Sequence, residues 1–264
     1  MDSDSIDIFY KGHTLKINYF LRPGTQKTIV YLHGLGCAKE DFLGSLDNKR
    51  LKDSTIFAYD FPGCGKSDYP SGINLGVDDL VTFTDILVKH FSLNSFVLVG
   101  HSMGGLVGLL YAEKYSGKVA GFVNVEGNLA SEDCFFSLEV VGKSFENFEH
   151  EIYPSIKERV AKKENKGFQE YRKELDQTSP RAYFDYCPSM TDYSVHGNLV
   201  ARLLALPQPK LFMYGEQNKN LSYIPKLRQG MNVEVEEVPG SNHWPGYDNP
   251  EFYYESITKF IQSL

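Results

Sequence analysis

Hydrophobic residues fall in short unbroken runs that alternate with longer amphipathic segments. Three of these runs, residues 28–32, 55–59 and 95–99, each end at a glycine or a turn. Unalternated apolar runs of this length are typical of strands buried on both faces of a parallel sheet. The same reasoning predicts an edge hairpin over the mixed segment 7–20 and later strands at residues 121–125, 210–214 and 233–238.

Helical spacing separates these predicted strands. In residues 77–91 the apolar side chains recur mostly every three or four positions behind Asp78 and Asp79, which predicts an amphipathic helix. A second helix is predicted over residues 103–115. Strands that alternate with helices predict an α/β fold with a doubly wound, mostly parallel sheet, and such sheets bind ligands at the carboxyl ends of their strands.

The strand rhythm stops between residues 128 and 207, where charged and aromatic residues dominate. A structureless loop of that length would be unusual in a compact domain, so helices are expected there. We expect residues 128–207 to form a helical cap over a core made of residues 1–127 and 208–264. The alternative is an ordinary helical connection between two strands.

Charge and composition narrow the classes of partner. The 264-residue chain carries 27 Lys plus Arg against 34 Asp plus Glu, a net charge of −7, which is the wrong sign for a protein that binds a phosphate backbone. The first seven residues contain no basic n-region and no apolar h-region of a signal peptide, and no apolar run reaches the ~20 residues of a membrane span. We therefore expect a cytoplasmic protein with no membrane span and no nucleic-acid partner, while its oligomeric state cannot be predicted.

The four cysteines lie far apart at positions 37, 64, 134 and 187, and none forms a C-x-x-C pair. This spacing favours reduced, packed thiols over a metal site or a disulfide.

The clearest candidate for chemistry is the segment Gly100-His101-Ser102-Met103-Gly104-Gly105, which lies between a predicted strand and a predicted helix. A tight strand-to-helix turn of this kind projects a serine hydroxyl above the sheet edge, and small flanking residues let the backbone pass closely. Ser102 is thus the candidate nucleophile. The plainer interpretation is a glycine-rich turn capped by serine.

Together with this motif, three further segments resemble the α/β-hydrolase superfamily, so that the resemblance extends over nearly the whole chain. His33-Gly34-Leu35-Gly36 resembles the oxyanion loop of that family, residues 60–68 (DFPGCGKSD) resemble its D-x-P-G-x-G-x-S-D turn, and residues 240–245 (GSNHWP) resemble its catalytic histidine loop.

The resemblance implies a role for each matching residue. The backbone N–H groups of Leu35 and Met103 would form the oxyanion hole, and His243 would act as general base and then general acid for Ser102. His33 would hold the oxyanion loop, and the side chain of His101 would point away from the nucleophile. The other histidines lack a motif and are expected on the surface or in the cap: His13, His90, His150 and His196.

The acid of the triad departs from the family pattern. Many relatives place an aspartate in a G-x-x-D pattern after the penultimate strand, whereas this chain has Asn218 there. An amide cannot supply the negative charge that stabilises an imidazolium. Glu126, at the end of the strand before the predicted cap, is the preferred replacement. In the alternative, Glu216 is the acid, and Glu126 only caps the start of the predicted helical insertion. Asp133 is a less favoured candidate.

A serine nucleophile excludes the alkyl-ester chemistry of relatives that use an aspartate. The resemblance therefore implies hydrolysis of a small-molecule carboxylic ester through an acyl-enzyme, without metal or cofactor. The aromatic cap, with Leu35 and Trp244 near the expected site, favours a small or medium, largely apolar acyl or alcohol group, although these aromatics could equally be core. Ring-cleaving carbon–carbon hydrolysis, lactone and thioester hydrolysis, aminopeptidase action and perhydrolysis use similar residues. A non-catalytic ligand-binding protein of the same fold is the alternative that Asn218 favours.

Overall fold

The computed structural model describes residues 4–264, and its centre is one eight-stranded sheet. The strands run in the order β1-β2-β4-β3-β5-β6-β7-β8 across the sheet. Their bounds are β1 Asp4–Tyr10, β2 His13–Arg22, β3 Thr28–Leu32, β4 Thr55–Tyr59, β5 Phe96–His101, β6 Val119–Val125, β7 Lys210–Gly215 and β8 Val233–Val238.

The predicted doubly wound, mostly parallel sheet is confirmed. β1 and β2 form the expected antiparallel edge hairpin, and β2 pairs antiparallel with β4. All other neighbours pair in parallel. Three of the parallel strands extend beyond their predicted ends. β5 continues through Gly100 and His101, which pair with Asn124 and Val125 of β6, β6 begins at Val119, and β7 includes Gly215. Glycine and histidine do not signal a strand locally, so only the pairing partner reveals this extension.

Helices cover both faces of the sheet. The α-helices are α1 Gly44–Asp47, α2 Val77–His90, α3 Met103–Lys114, α4 Phe145–Asn147, α5 Tyr153–Ala161, α6 Lys166–Leu175, α7 Pro180–His196, α8 Leu199–Ala205, α9 Ile224–Leu227, α10 Pro245–Asp248 and α11 Pro250–Ser263. A π-helical turn, Phe148–Ile152, joins α4 to α5. Short 3₁₀ turns lie at Lys39–Phe42, Lys49–Leu51, Ser116–Lys118, Ser131–Asp133, Ser137–Glu139 and Glu216–Asn218.

The side chains of each central strand alternate between two cores. In β3, Val30 and Leu32 join the larger cluster, which includes apolar residues of α2 and α3, whereas Ile29 and Tyr31 join the cluster that contains α11. All four side chains are fully buried. Burial on both faces explains why the central strands appear in the sequence as unbroken apolar runs.

The chain between β6 and β7 contains helical elements and no strand within the described residues, from the 3₁₀ turn at Ser131–Asp133 to α8. Helix α6 in this segment packs against α10, which directly follows the predicted histidine loop. The core and cap boundaries at residues 128 and 207 stay a prediction. We refer to residues 128–207 below as the inserted segment.

Candidate active site

The turn that carries Ser102 is strained, and glycines make it sterically allowed. Ser102 lies between β5 and α3 with φ 52° and ψ −122°, a conformation that non-glycine residues seldom adopt. A Cβ on Gly100 would lie 2.3 Å from the carbonyl oxygen of Gly104, and a Cβ on Gly104 would lie 2.2 Å from that of Leu32. Only glycine fits at either position, so the spacing of the motif follows from close packing of α3 on the sheet.

The loop after β3 passes directly beside this turn. A Cβ on Gly34 would lie 3.1 Å from Ser102 Cβ. The backbone N–H groups of Leu35 and Met103 have no acceptor within residues 4–264. Two uncommitted N–H groups on either side of a serine are what the stabilisation of a tetrahedral oxyanion requires.

His33 fixes the backbone of this loop. Its Nδ1 lies 2.8 Å from the carbonyl oxygen of Gly34, and its Nε2 lies 2.9 Å from the backbone nitrogen of Phe61. Because the Phe61 N–H needs an acceptor, the ring carries its proton on Nδ1. Complete burial lowers the pKa of His33 to about 4, so the ring stays neutral and holds the loop near neutral pH.

The structure brings His243 and Glu126 together. His243 Nδ1 lies 2.7 Å from Glu126 Oε2, and both side chains are buried. Glu126 comes immediately after β6 with a positive φ of 45°, while His243 follows β8. The two residues are 117 positions apart in the chain, and the parallel sheet places the ends of their strands at one edge.

Two donors, one at the end of β7 and one in the turn that follows it, hold the Glu126 carboxylate. The backbone N–H of Gly215 donates to Oε1 at 2.7 Å. The Asn218 amide donates to Oε1 at 2.9 Å and to Oε2 at 2.8 Å. Asn218, at the position where the family pattern has its acid, is thus a hydrogen-bond donor to Glu126. The sequence showed that Asn218 departs from the family pattern, but it did not predict the contact of Asn218 with Glu126.

The two other candidate acids make different contacts. Glu216 accepts a hydrogen bond from the backbone N–H of Gly240 at 2.9 Å and does not contact His243. Asp133 caps the first turn of the inserted segment by accepting the backbone N–H groups of Leu129 and Ala130, each at 2.8 Å. Burial raises the pKa of Asp133 to about 6.

His101 faces the histidine loop rather than the serine hydroxyl. Its Nε2 lies 2.8 Å from the carbonyl oxygen of His243, so the ring donates from Nε2 and its Nδ1 is unprotonated. Complete burial lowers the pKa of His101. The four histidines that lack a motif are not among the residues that line the pocket at Ser102.

One pocket joins these groups. It contains about 340 Å³ of empty space, part of it open to solvent. No hydrogen bond joins Ser102 to His243 within the described chain, but both line this pocket, and catalytic hydrogen bonds are often long before substrate binds. The other walls combine apolar and polar side chains. The apolar and aromatic ones include Leu35, Trp244, Phe135, Phe136, Tyr171 and Met190, and the polar ones are His101, Asn128, Asp133 and Ser137.

Asp248 connects the inserted segment to the histidine loop, and sequence analysis missed it. Its Oδ1 accepts the backbone N–H of Gly167, the second residue of α6, at 3.0 Å. Its Oδ2 accepts the backbone N–H of Asn242, next to His243, at 2.9 Å. No local pattern identifies such a bridge, because its two partners are 75 residues apart, at positions 167 and 242.

All four cysteines are buried and unpaired, and Cys37 lies close to other polar groups. The Cys37 thiol, an Asp41 carboxylate oxygen and a His101 ring nitrogen lie within 4.8 Å of one another. Sequence analysis did not identify this cluster, because only the fold brings β5 beside the loop after β3.

The chain is similar to known proteins in sequence and in fold. The profile of the Alpha/beta hydrolase family matches residues 29–256. A proline iminopeptidase from Saccharolobus solfataricus is 30% identical over 127 residues, which are 46% of this chain and 38% of that protein. Monoglyceride lipase from Rattus norvegicus is 30% identical over 153 residues, 55% of this chain and 49% of that protein. The matches thus span less than half the length of either relative.

A solved structure from a study of carboxylesterases of Nitrososphaera gargenis has the same fold. It superposes with a TM-score of 0.81 at 16% identity, covering 97% of this chain and 98% of the other. The chain therefore belongs to the alpha/beta hydrolase family, and the proteins to which it is similar include a lipase and carboxylesterases. No helix in residues 4–264 is both long enough and apolar enough to cross a membrane.

Proposed function

We propose that this protein is a serine hydrolase that cleaves carboxylic esters through an acyl-enzyme, with Ser102 as nucleophile, His243 as base and Glu126 as acid. The observation that carries the proposal is the 2.7 Å contact of Glu126 with His243 at the wall of the pocket that also contains Ser102. Each residue comes from a different strand end of one sheet, as in serine hydrolases of this fold.

In the first half-reaction, Ser102 Oγ attacks the ester carbonyl carbon while His243 Nε2 accepts the hydroxyl proton. The N–H groups of Leu35 and Met103 would donate to the oxyanion that forms. Collapse breaks the bond to the alkoxy oxygen, and His243 returns the proton to the departing alcohol. Water, activated by the same imidazole, then attacks the acyl-enzyme and releases the carboxylic acid and free Ser102.

Glu126 would stabilise the imidazolium and orient the ring. Its carboxylate faces Nδ1, so the Nδ1–H tautomer is favoured and Nε2 is left free to accept the proton of Ser102. Hydrogen bonds from Gly215 and Asn218 keep the carboxylate in place, which supports its assignment over Glu216.

The residues that line the pocket support a substrate with a small or medium, largely apolar acyl or alcohol group. Phe135 and Phe136 lie at the start of the inserted segment, and Phe135 is 45% exposed, so it borders the entrance. Tyr171 and Met190 also line the pocket, and both are buried. We propose that residues 128–207 act as a cap that shapes this pocket.

The test is hydrolysis of p-nitrophenyl esters of increasing chain length by the purified protein, combined with labelling by a fluorophosphonate. Ser102→Ala should lower kcat on the order of 10⁶-fold and abolish labelling. Ser155→Ala, an exposed serine of α5, is the matched control and should behave like the parent protein. Turnover that survives in Ser102→Ala would refute the proposal, and labelling without turnover would favour a ligand-binding protein.

A further inference from the structure

Two buried carboxyl groups face each other between the core and the inserted segment. Asp41 belongs to the 3₁₀ turn Lys39–Phe42 after β3, and Glu174 belongs to α6. Their residues are 9% and 5% exposed. The two carboxyl groups lie within hydrogen-bond reach of each other. Within the described residues, neither oxygen of Asp41 nor Oε2 of Glu174 forms a hydrogen bond with another group, although the Cys37 thiol and the Tyr247 hydroxyl face Asp41.

Within residues 4–264, no lysine or arginine forms an ion pair with Asp41 or Glu174. The nearby Lys39 ammonium binds Glu40 at 2.7 Å and Asp60 at 3.0 Å, and both of these carboxylates add negative potential at the pair. Two desolvated carboxylates in contact cannot both stay ionised, so one proton must remain between them.

The other polar side chains that face Asp41 do not supply a positive charge. His101 Nδ1 lies 3.9 Å from Asp41 Oδ2, but its proton is on Nε2, which faces the His243 carbonyl, so Nδ1 presents a lone pair. The Cys37 thiol and the Tyr247 hydroxyl also face Asp41, and both are neutral because burial raises their pKa values.

We propose that Asp41 and Glu174 share one proton, and that the resulting hydrogen bond is a positioning contact that holds α6, and with it Tyr171, against the pocket at Ser102. The proposal rests on the proposed serine-hydrolase function only for its effect on turnover. Burial and mutual repulsion raise the pKa values of both carboxyl groups, which supports retention of the proton near neutral pH.

The geometry of α6 links the pair to the site. Phe168, Tyr171 and Glu174 share the buried face of the helix, and Tyr171 also lines the pocket. The Asp248 contact with Gly167 fixes the first turn of α6 to the histidine loop, whereas the carboxyl pair lies at the last turn. When the shared proton is lost, repulsion should displace this last turn. KM should then rise more than kcat changes, because Ser102 and His243 are not part of α6.

The chain carries a built-in reporter of this movement. Trp244 is its single tryptophan. The indole ring packs 4.7 Å from the ring of Phe168 and 4.8 Å from that of Tyr171, both on α6. Its fluorescence therefore follows the position of α6 whether or not the protein turns over a substrate.

The experiment compares the parent protein with Glu174→Gln from pH 5 to pH 9, by Trp244 emission and by denaturant unfolding. In Glu174→Gln, the side-chain amide at position 174 can donate a hydrogen bond to ionised Asp41. The contact between α6 and Asp41 is then kept without a shared proton. Folding retains the shared proton above the ordinary carboxyl pKa values of 3.8 and 4.5, where the unfolded chain has lost it. Relative to Glu174→Gln, parent stability should therefore fall as pH rises from 5, with an unfolding constant that increases about tenfold per pH unit, and should level off once pH passes the folded-state pKa of the shared proton.

Glu170→Gln, on the same helix but paired only with Lys173, is the matched control and should follow the parent. If Glu174→Gln shows the same pH dependence of stability as the parent, the shared proton is refuted.

A bound metal ion is the competing explanation for these buried carboxyl groups, because the Cys37 thiol and the His101 imidazole lie close to Asp41. Equimolar Zn²⁺ or EDTA at fixed pH should leave Trp244 emission unchanged. An emission change on Zn²⁺ addition that Cys37→Ser abolishes would overturn the shared proton in favour of a metal site. The stability and fluorescence results hold without activity, so loss of the proposed function would appear separately, as absence of turnover in the parent.

Discussion

Asn218 donates its side-chain amide to both carboxylate oxygens of Glu126, at 2.9 Å and 2.8 Å. The residue that interrupts the family's acid position therefore contacts the carboxylate that faces His243. The carboxylate follows β6 and the amide follows β7, so the proposed acid lies on a different strand end from the one that the family pattern uses. This arrangement explains how Asn218 is compatible with a complete charge network, and several predictions depend on it.

Glu126→Gln should lower kcat on the order of 10⁴-fold, as expected when the imidazole loses its charge partner and its tautomer preference. Glu216→Gln should leave kcat near the parent value, because Glu216 contacts the backbone of Gly240 and not His243. Steady-state kinetics on a short-chain ester measure both variants, with circular dichroism to establish that they fold. The reverse ranking would assign the acid to Glu216.

Asn218→Asp should damage activity more than Asn218→Ala. The aspartate would place a second negative charge against Glu126, whereas alanine only removes donors, at about 1.5–3 kcal/mol for hydrogen bonds to a charged group, or roughly 10- to 100-fold in rate. Asn220→Asp, an exposed position two residues away, makes the same chemical change as a control. Equal kcat/KM for Asn218→Asp and the parent protein would show that Glu126 is not the working acid.

Gly34→Ala should lower kcat by up to about 10²-fold while the protein still folds. The added methyl group would lie 3.1 Å from Ser102 Cβ and 3.3 Å from His101 Nδ1, so the loop that presents the Leu35 N–H must shift by a few tenths of an ångström. Loss of one oxyanion donor costs roughly 10²- to 10³-fold, and a partial shift should cost less.

The control for this change is Gly117→Ala, where an added methyl group meets nothing within 4 Å. Its kinetics should match those of the parent. Unchanged kcat for Gly34→Ala would indicate that the loop after β3 does not supply an oxyanion donor.

Met190→Ala should move the preferred ester toward longer chains. Met190 is buried on α7 and lines the pocket, so its truncation opens space beside Ser102. A buried Met→Ala change costs about 2–5 kcal/mol of stability, and kinetics are therefore measured well below the unfolding temperature. Met231→Ala removes the same side chain from a fully exposed position and should leave the chain-length profile unaltered. An unaltered profile for Met190→Ala would remove this residue from the substrate wall.

The sequence by itself determined the sheet. The central strands are buried on both faces, and this burial leaves an unbroken apolar run that is visible without any partner. Ser102 and His243 could also be predicted as candidates from the sequence. A nucleophile turn needs glycines at fixed spacing, and the histidine loop resembles that of a known family. In both cases the physical constraint is local, and therefore leaves a local pattern.

Tertiary structure decided which groups meet. Glu126, Asn218 and His243 follow three different strands, and no local pattern states that their side chains converge. The contact depends on the register and twist of the whole sheet. The same holds for Asp248, which joins α6 to the histidine loop, and for Asp41 and Glu174, whose isolated sequences look like surface carboxylates. The burial of these side chains and their hydrogen bonds depend on elements that are distant in the chain. They therefore form only when the chain folds.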